Sequence, residues 1–121
     1  MEISKLDRYY EKFIEASKLH GEATKKGDFK AVNKQYRFLK KIYKIAEKNP
    51  KSALNFYQRL MNSDDASVKG WACVHSLALH INIEIAEEIL LEQSNDKSLG
   101  ILRLDAEMTL KQWRERGYLK A

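Results

Sequence analysis

The histidines and the cysteine are the side chains here that most invite a catalytic or metal reading: His20, Cys73, His75 and His80. Their spacing works against each of those uses. A zinc pair on a helix needs two histidines about one turn apart on a single face, and His75 and His80 are five residues apart, so they diverge. Cys73 and His75 are two apart and point to different sides of a helix, which removes the thiolate–imidazole nucleophile. His75 shares a stripe with Val68, Trp71, Ala72 and Leu79, and His20 extends a stripe through Phe13 and Ser17. In both places the expected role is a hydrogen-bonded core histidine. The sequence holds no Gly-rich phosphate loop, no CxxC and no HExxH. The expectation is a protein that is not an enzyme and carries no cofactor and no metal.

These residues must sit on helices, because helical periodicity recurs between each pair of breakers and no strand-like alternation appears. The 121 residues suit one domain over residues 1–121, and 44% hydrophobic with 32% charged residues argues against disorder. The first helix is expected from near Ser4, capped by its hydroxyl with Asp7 answering, to Lys26, with Leu6, Tyr9, Tyr10, Phe13, Ala16, Ser17 and His20 inward. Gly27-Asp28 ends it and caps a second helix to Lys48, whose inward stripe is Phe29, Val32, Tyr36, Leu39, Tyr43 and Ala46. Asn49 as N-cap and Pro50 as first residue open a third, to Met61, with Ala53, Leu54, Tyr57 and Met61 inward. Helices over about 66–80, 83–93 and 99–116 follow, the last ended by Gly117. Trp71 and Trp113 are expected in the core, Tyr118 outside it.

Residues 63–79 carry a recognisable helical grammar. Paired acids Asp64-Asp65 open it, Val68-Lys69 follow, Ala72 comes three residues after Lys69, and Leu77 and Leu79 close it. A degenerate echo begins at Leu102-Arg103, with Ala106, Leu110 and Trp113 continuing the stripe. Two such units imply an α-helical stack. On these residues, with Gly27-Asp28 and Asn33-Lys34-Gln35-Tyr36 upstream, the whole chain resembles small bacterial HEAT-like proteins, some of which are thought to be immunity proteins against secreted toxins. Lys69 stands where most HEAT units carry arginine. The resemblance implies an all-α fold of about six helices in an antiparallel HEAT-like stack, and a role in binding and neutralising a toxin domain.

Charge separates one surface from another. Residues 1–50 hold 13 Lys and Arg against 7 Asp and Glu, whereas residues 51–121 hold 9 against 10. Lys30, Lys34, Arg37, Lys41, Lys44 and Lys48 alternate by four and three, so all six share one line on the second helix, opposite its apolar stripe. Like charges one turn apart repel, and no acid interrupts the row. Such a ridge suits an acidic partner. Glu84, Glu87, Glu88 and Glu92 form an acidic counterpart on the fifth helix, suited to a basic partner or to the ridge of a second copy. Two function classes follow: a protein-binding module, with the immunity protein as its sharpest form, and a nucleic-acid-binding protein using the ridge on phosphates. The second lacks aromatics interleaved with the ridge, since Phe38 and Ile45 only flank it. A lone cysteine, no apolar run of signal-peptide length and no membrane-span window point to the cytoplasm, away from membranes. The expected state is a monomer or weak homodimer.

Overall fold

The computed structural model describes residues 4–120. Met1, Glu2, Ile3 and Ala121, part of the single domain expected over residues 1–121, lie outside it. The described residues are all-α, in the order α1 (Tyr10–Lys26), α2 (Phe29–Glu47), α3 (Pro50–Met61), α4 (Ala66–Ala78), α5 (Ile83–Ser94) and α6 (Ile101–Arg116), with short 3-10 turns at Asp7–Tyr9 and Lys97–Leu99.

Most of the boundaries follow from local chemistry. The Ser4 hydroxyl accepts the Asp7 N–H at 3.1 Å and donates to the Asp7 carboxylate at 3.0 Å, so the expected cap closes a 3-10 turn ahead of α1. Gly27 adopts φ 72° at the end of α1, which lets the Asp28 N–H reach back to the Ala23 carbonyl. The Asp28 and Asp65 carboxylates then accept the third backbone N–H of α2 and of α4, at 3.2 and 3.0 Å. Asn49 behaves otherwise than expected. Its side chain makes no N-cap bond to α3 and donates instead to the Ile45 carbonyl at 2.8 Å, finishing α2. α4 stops two residues short of the expected end because His80 turns left-handed, at φ 57°. The Ile81 N–H then closes on the Ser76 carbonyl at 2.9 Å.

Each helix packs on the next, and α4 also meets α1 and α6, so α1, α3, α5 and α6 all contact it. The centre of the molecule is a cluster of rings. His75 of α4 is 1% exposed and receives edge-to-face contacts from Phe13 of α1, Tyr43 of α2, Tyr57 of α3 and Trp71 of α4, with centroids 5.3 to 5.8 Å away. The Tyr57 hydroxyl and His75 Nδ1 share a 2.8 Å hydrogen bond. The expected core histidine is therefore present. Leu39, Ile42, Phe56, Leu60, Val68, Cys73, Leu77 and Leu90 close the core around this cluster.

Two expected core residues lie outside. Phe29, in the first turn of α2, is 78% exposed, and Leu54 of α3 is 45% exposed. In both helices the buried stripe is rotated toward residues omitted from the expected set: Ile42 in α2, and Phe56 and Leu60 in α3. The reason is that α3 packs between α2 and α4 and aligns on both, which an isolated helical wheel does not encode.

α1 and α4 touch closely at Gly21. A Cβ there would collide with the Ser67 hydroxyl and sit 3.0 Å from the Ser67 Cβ. Alanine normally stabilises a helix interior over glycine by about 1 kcal/mol. Gly21→Ala should instead destabilise by about 1–3 kcal/mol, through overpacking. The double variant Gly21→Ala/Ser67→Gly should recover most of that loss in urea denaturation, and additive losses would show that the two residues do not clash.

The buried imidazole also sets the response to acid. Burial holds the His75 pKa down to about 3, against 6.5 for a free histidine, so the unfolded chain takes up the proton first. The stability associated with neutral His75 is fully present above about pH 6.5 and is lost as pH falls toward about 3, at about 1.4 kcal/mol per pH unit. His20, also shifted down by burial, adds in the same sense, whereas Asp105, shifted up by burial, opposes it at the acid end. Denaturation between pH 7 and pH 4 should show this slope. It should be shallower in His75→Gln, and equal slopes in the two proteins would contradict the assignment.

Candidate functional site

The six basic residues proposed from sequence, Lys30, Lys34, Arg37, Lys41, Lys44 and Lys48, are all exposed, the first five on α2 and Lys48 at its C-terminal cap. Among the described residues none of them forms an ion pair. From Lys30 to Lys48 the row spans about 27 Å at the helical rise of 1.5 Å per residue. Its C-terminal part is one wall of a groove of about 430 Å³, lined by Arg37, Lys40, Lys41, Lys44 and Lys48, with Lys5 and Tyr9 opposite. No acid lines it. Lys34 and Arg37 border a second hollow with Lys12, Leu19, Phe38 and a single acid, Glu15. Lys30 belongs to neither.

Lys5, Lys40 and Tyr9 are groove residues that the sequence reading did not assign there. Tyr9 and Tyr10 are adjacent, so their side chains leave the chain in different directions and serve different neighbours. Tyr10 packs on Phe56 at 5.9 Å under the Arg59 guanidinium, 4.3 Å from its ring centroid. Tyr9 turns to α2, meeting Phe38 at 6.4 Å, with the Lys12 and Lys41 ammonium groups 5.5 and 6.0 Å from its ring. An aromatic ring thus stands among the cations, supplied by a different element. The adjacent tyrosine pair was the available signal.

The acidic residues of α5 divide. Glu84, Glu88 and Glu92 are exposed, and Glu87 is half-buried. Ala86, Leu90 and Gln93 face inward, with the Gln93 amide donating to the Ala66 carbonyl at 3.0 Å. Ile85 and Leu91 stand exposed on the same helix. Among the described residues no ion pair joins the acidic and basic sets.

The residues with chemical potential are withdrawn from it. Cys73 is buried, its thiol pushed up to about 12 by desolvation, so it holds its proton at neutral pH. His75 is fully enclosed and neutral. His80 is exposed in the α4–α5 turn and leans on Trp113 at 5.4 Å. His20 is different. It is half-buried beside a second cleft of about 400 Å³ between α1, α4 and α6, where Trp71, Tyr36 and Asp105 also reach the surface. Among the described residues no cluster of three or more His, Cys, Asp or Glu side chains is placed to hold a metal ion, and no helix is long and apolar enough to cross a membrane.

Trp71 is the main correction among the expected core residues. One part of the indole touches His75, but another lines the cleft, and the residue is only half-buried. Trp113 and Tyr118 lie as expected, buried and exposed respectively. Trp71→Ala should therefore cost about 2 kcal/mol, roughly half the 3–5 kcal/mol expected for a fully enclosed large ring. Urea denaturation measures this, and a loss of the full size would place the indole wholly in the core. No protein-family model, no curated protein and no solved structure matches this chain, so the functional reading rests on these surfaces themselves.

Proposed function

We propose that this protein is a non-catalytic binding module whose main docking surface is the basic groove of α2, and that its partner is a protein with an acidic face. The observation that carries this reading is the groove itself, where Lys5, Arg37, Lys40, Lys41, Lys44 and Lys48 converge with no acid among the described residues that line it. Keeping like charges together costs a few tenths of a kcal/mol for each pair one turn apart on a helix. A negative surface reverses that cost and raises the association rate. The helical scaffold supplies rigidity, because the row sits on a helix whose opposite side is locked in the core through Leu39, Ile42 and Ala46. In the immunity-type form suggested by the resemblance, the partner is a toxin domain and the module acts by covering its active site. The acids of α5 are the alternative contact for a basic partner.

A second reading has one observation in its favour. Tyr9 places an aromatic face beside Lys41 at the groove wall, and a cationic groove with a stacking ring is the arrangement that holds single-stranded nucleic acid.

Charge reversal at Lys34, Arg37, Lys41 and Lys44 to glutamate separates these readings. All four are exposed, so the circular dichroism spectrum and melting temperature should stay near those of the parent. A partner recovered from host extract by the parent protein should be lost, while reversal of Glu84, Glu88 and Glu92 to lysine should leave it bound. Unchanged capture by the quadruple variant would overturn the assignment of the groove. Binding of a single-stranded oligonucleotide that weakens steeply with salt and falls on Tyr9→Ala would favour the nucleic-acid reading instead.

A further inference from the structure

The cleft between α1, α4 and α6 is built differently from the basic groove and shares no lining residue with it. Three rings border it, one from each of α1, α2 and α4. His20 and Tyr36 meet the Trp71 indole nearly at right angles, at 81° and 82°, with centroids 4.9 and 6.1 Å away. α6 contributes the carboxylate of Asp105, near enough to His20 for each to act on the other's charge. The wall is cut back where α4 passes, because Gly70 has no side chain and its nearest neighbour, Gln93 Oε1, would stand 3.5 Å from a Cβ. The result is a hollow of about 400 Å³, within the range of small-ligand sites.

The chemistry of this lining is selective. Ring faces carry negative electrostatic potential and attract cations, best when the cation sheds its water against them. A carboxylate adds a full negative charge. Among the described residues the helices contribute no lysine or arginine to the lining, the one cation there being Lys120 of the tail beyond Gly117. Burial lowers the His20 pKa, which works against a competing charge on its ring, although the Asp105 carboxylate pulls the other way. An anion would meet Asp105 and the ring faces. A neutral apolar group would leave the carboxylate without a counter-charge.

We infer that this cleft is a binding site for an organic cation, a quaternary ammonium or a guanidinium, held against the Trp71 and Tyr36 rings and paired with Asp105. Such a group comes either as a free small molecule or as the side chain of a docked protein. Met108, 59% exposed, and Leu104, exposed one turn before it, give α6 an unpartnered apolar flank beside the cleft that suits the protein source. The site stands independently of the basic groove, and either can fail without the other.

The test is a titration of the full chain followed by amide and indole NMR shifts at Gly70 and Trp71. Choline probes the free quaternary ammonium, its neutral isostere 3,3-dimethylbutan-1-ol controls for shape, and the peptide Gly-Arg-Gly probes the side-chain source. Choline or the arginine peptide should shift these signals saturably, with a dissociation constant in the millimolar range and about tenfold tighter than the neutral isostere, as expected for a cation on aromatic faces. Asp105→Asn, on an exposed position of α6, should weaken the cation and leave the isostere unchanged, and Trp71→Leu, followed at the Gly70 amide, should abolish the response. If Trp71→Leu fails to fold, Tyr36→Leu serves in its place. Shifts no stronger for either cation than for the neutral alcohol, or equal binding by Asp105→Asn, would overturn the inference. Preference for the arginine peptide over choline would assign the source to a partner's side chain.

Discussion

The interaction on which the rest of the structure depends is the enclosure of the His75 imidazole. Four helices each place a ring against it, Phe13 from α1, Tyr43 from α2, Tyr57 from α3 and Trp71 from α4 itself. Burying an imidazole is costly unless its polar atoms are bonded, and the Tyr57 hydroxyl meets that requirement at Nδ1. The pair fixes how α3 turns against α4, because a hydrogen bond is directional where apolar packing is not. The same enclosure keeps the ring neutral, so the group best suited by type to acid–base work becomes a structural one.

The two candidate surfaces follow from how α2 and α4 are anchored to that centre. α2 turns Leu39, Ile42 and Ala46 inward, which leaves its basic row on the outside with nothing in the described molecule to neutralise it. α4 is the most surrounded helix, touching α1, α3, α5 and α6, yet Trp71 stays half in solvent because Gly70 beside it leaves a hollow where α1, α4 and α6 meet. A helix that serves both as hub and as cleft wall couples the stability of the core to the shape of the site. Trp71 is the residue that joins them, with one contact to His75 and another side open to the cleft.

Two left-handed residues without a glycine mark the α4–α5 turn, His80 at φ 57° and Asn82 at φ 49°. Each such residue carries a conformational cost of roughly 1 kcal/mol. Surrounding contacts offset it. The Asn82 amide donates to the Leu54 carbonyl of α3, the Ile81 N–H closes on Ser76, and the His80 ring leans on Trp113 of α6. The turn thus ties α3 and α6 to the end of α4, and α5 begins immediately after it.

The sequence by itself determined the class of fold and most of its punctuation. Gly27, Asp28, Asp65 and Gly117 act locally, through a left-handed backbone or a side-chain oxygen within three residues, so their roles could be read without neighbours. The exposed basic row and the outward Glu84, Glu88 and Glu92 were legible for a similar reason, since a long charged side chain goes to water unless something pairs with it. Tertiary structure decided what depends on more than one helix. It rotated the buried faces of α2 and α3 toward Ile42, Phe56 and Leu60, leaving Phe29 and Leu54 outside, because a helix wedged between two neighbours aligns on both. It also set Tyr9 among the lysines of α2 and opened a cleft beside Trp71 by bringing His20, Tyr36 and Asp105 to one hollow from three other helices. Sequence spacing is silent on such meetings, since they are fixed by crossing angles and close approaches such as Gly21 on Ser67, and not by the period of any single helix.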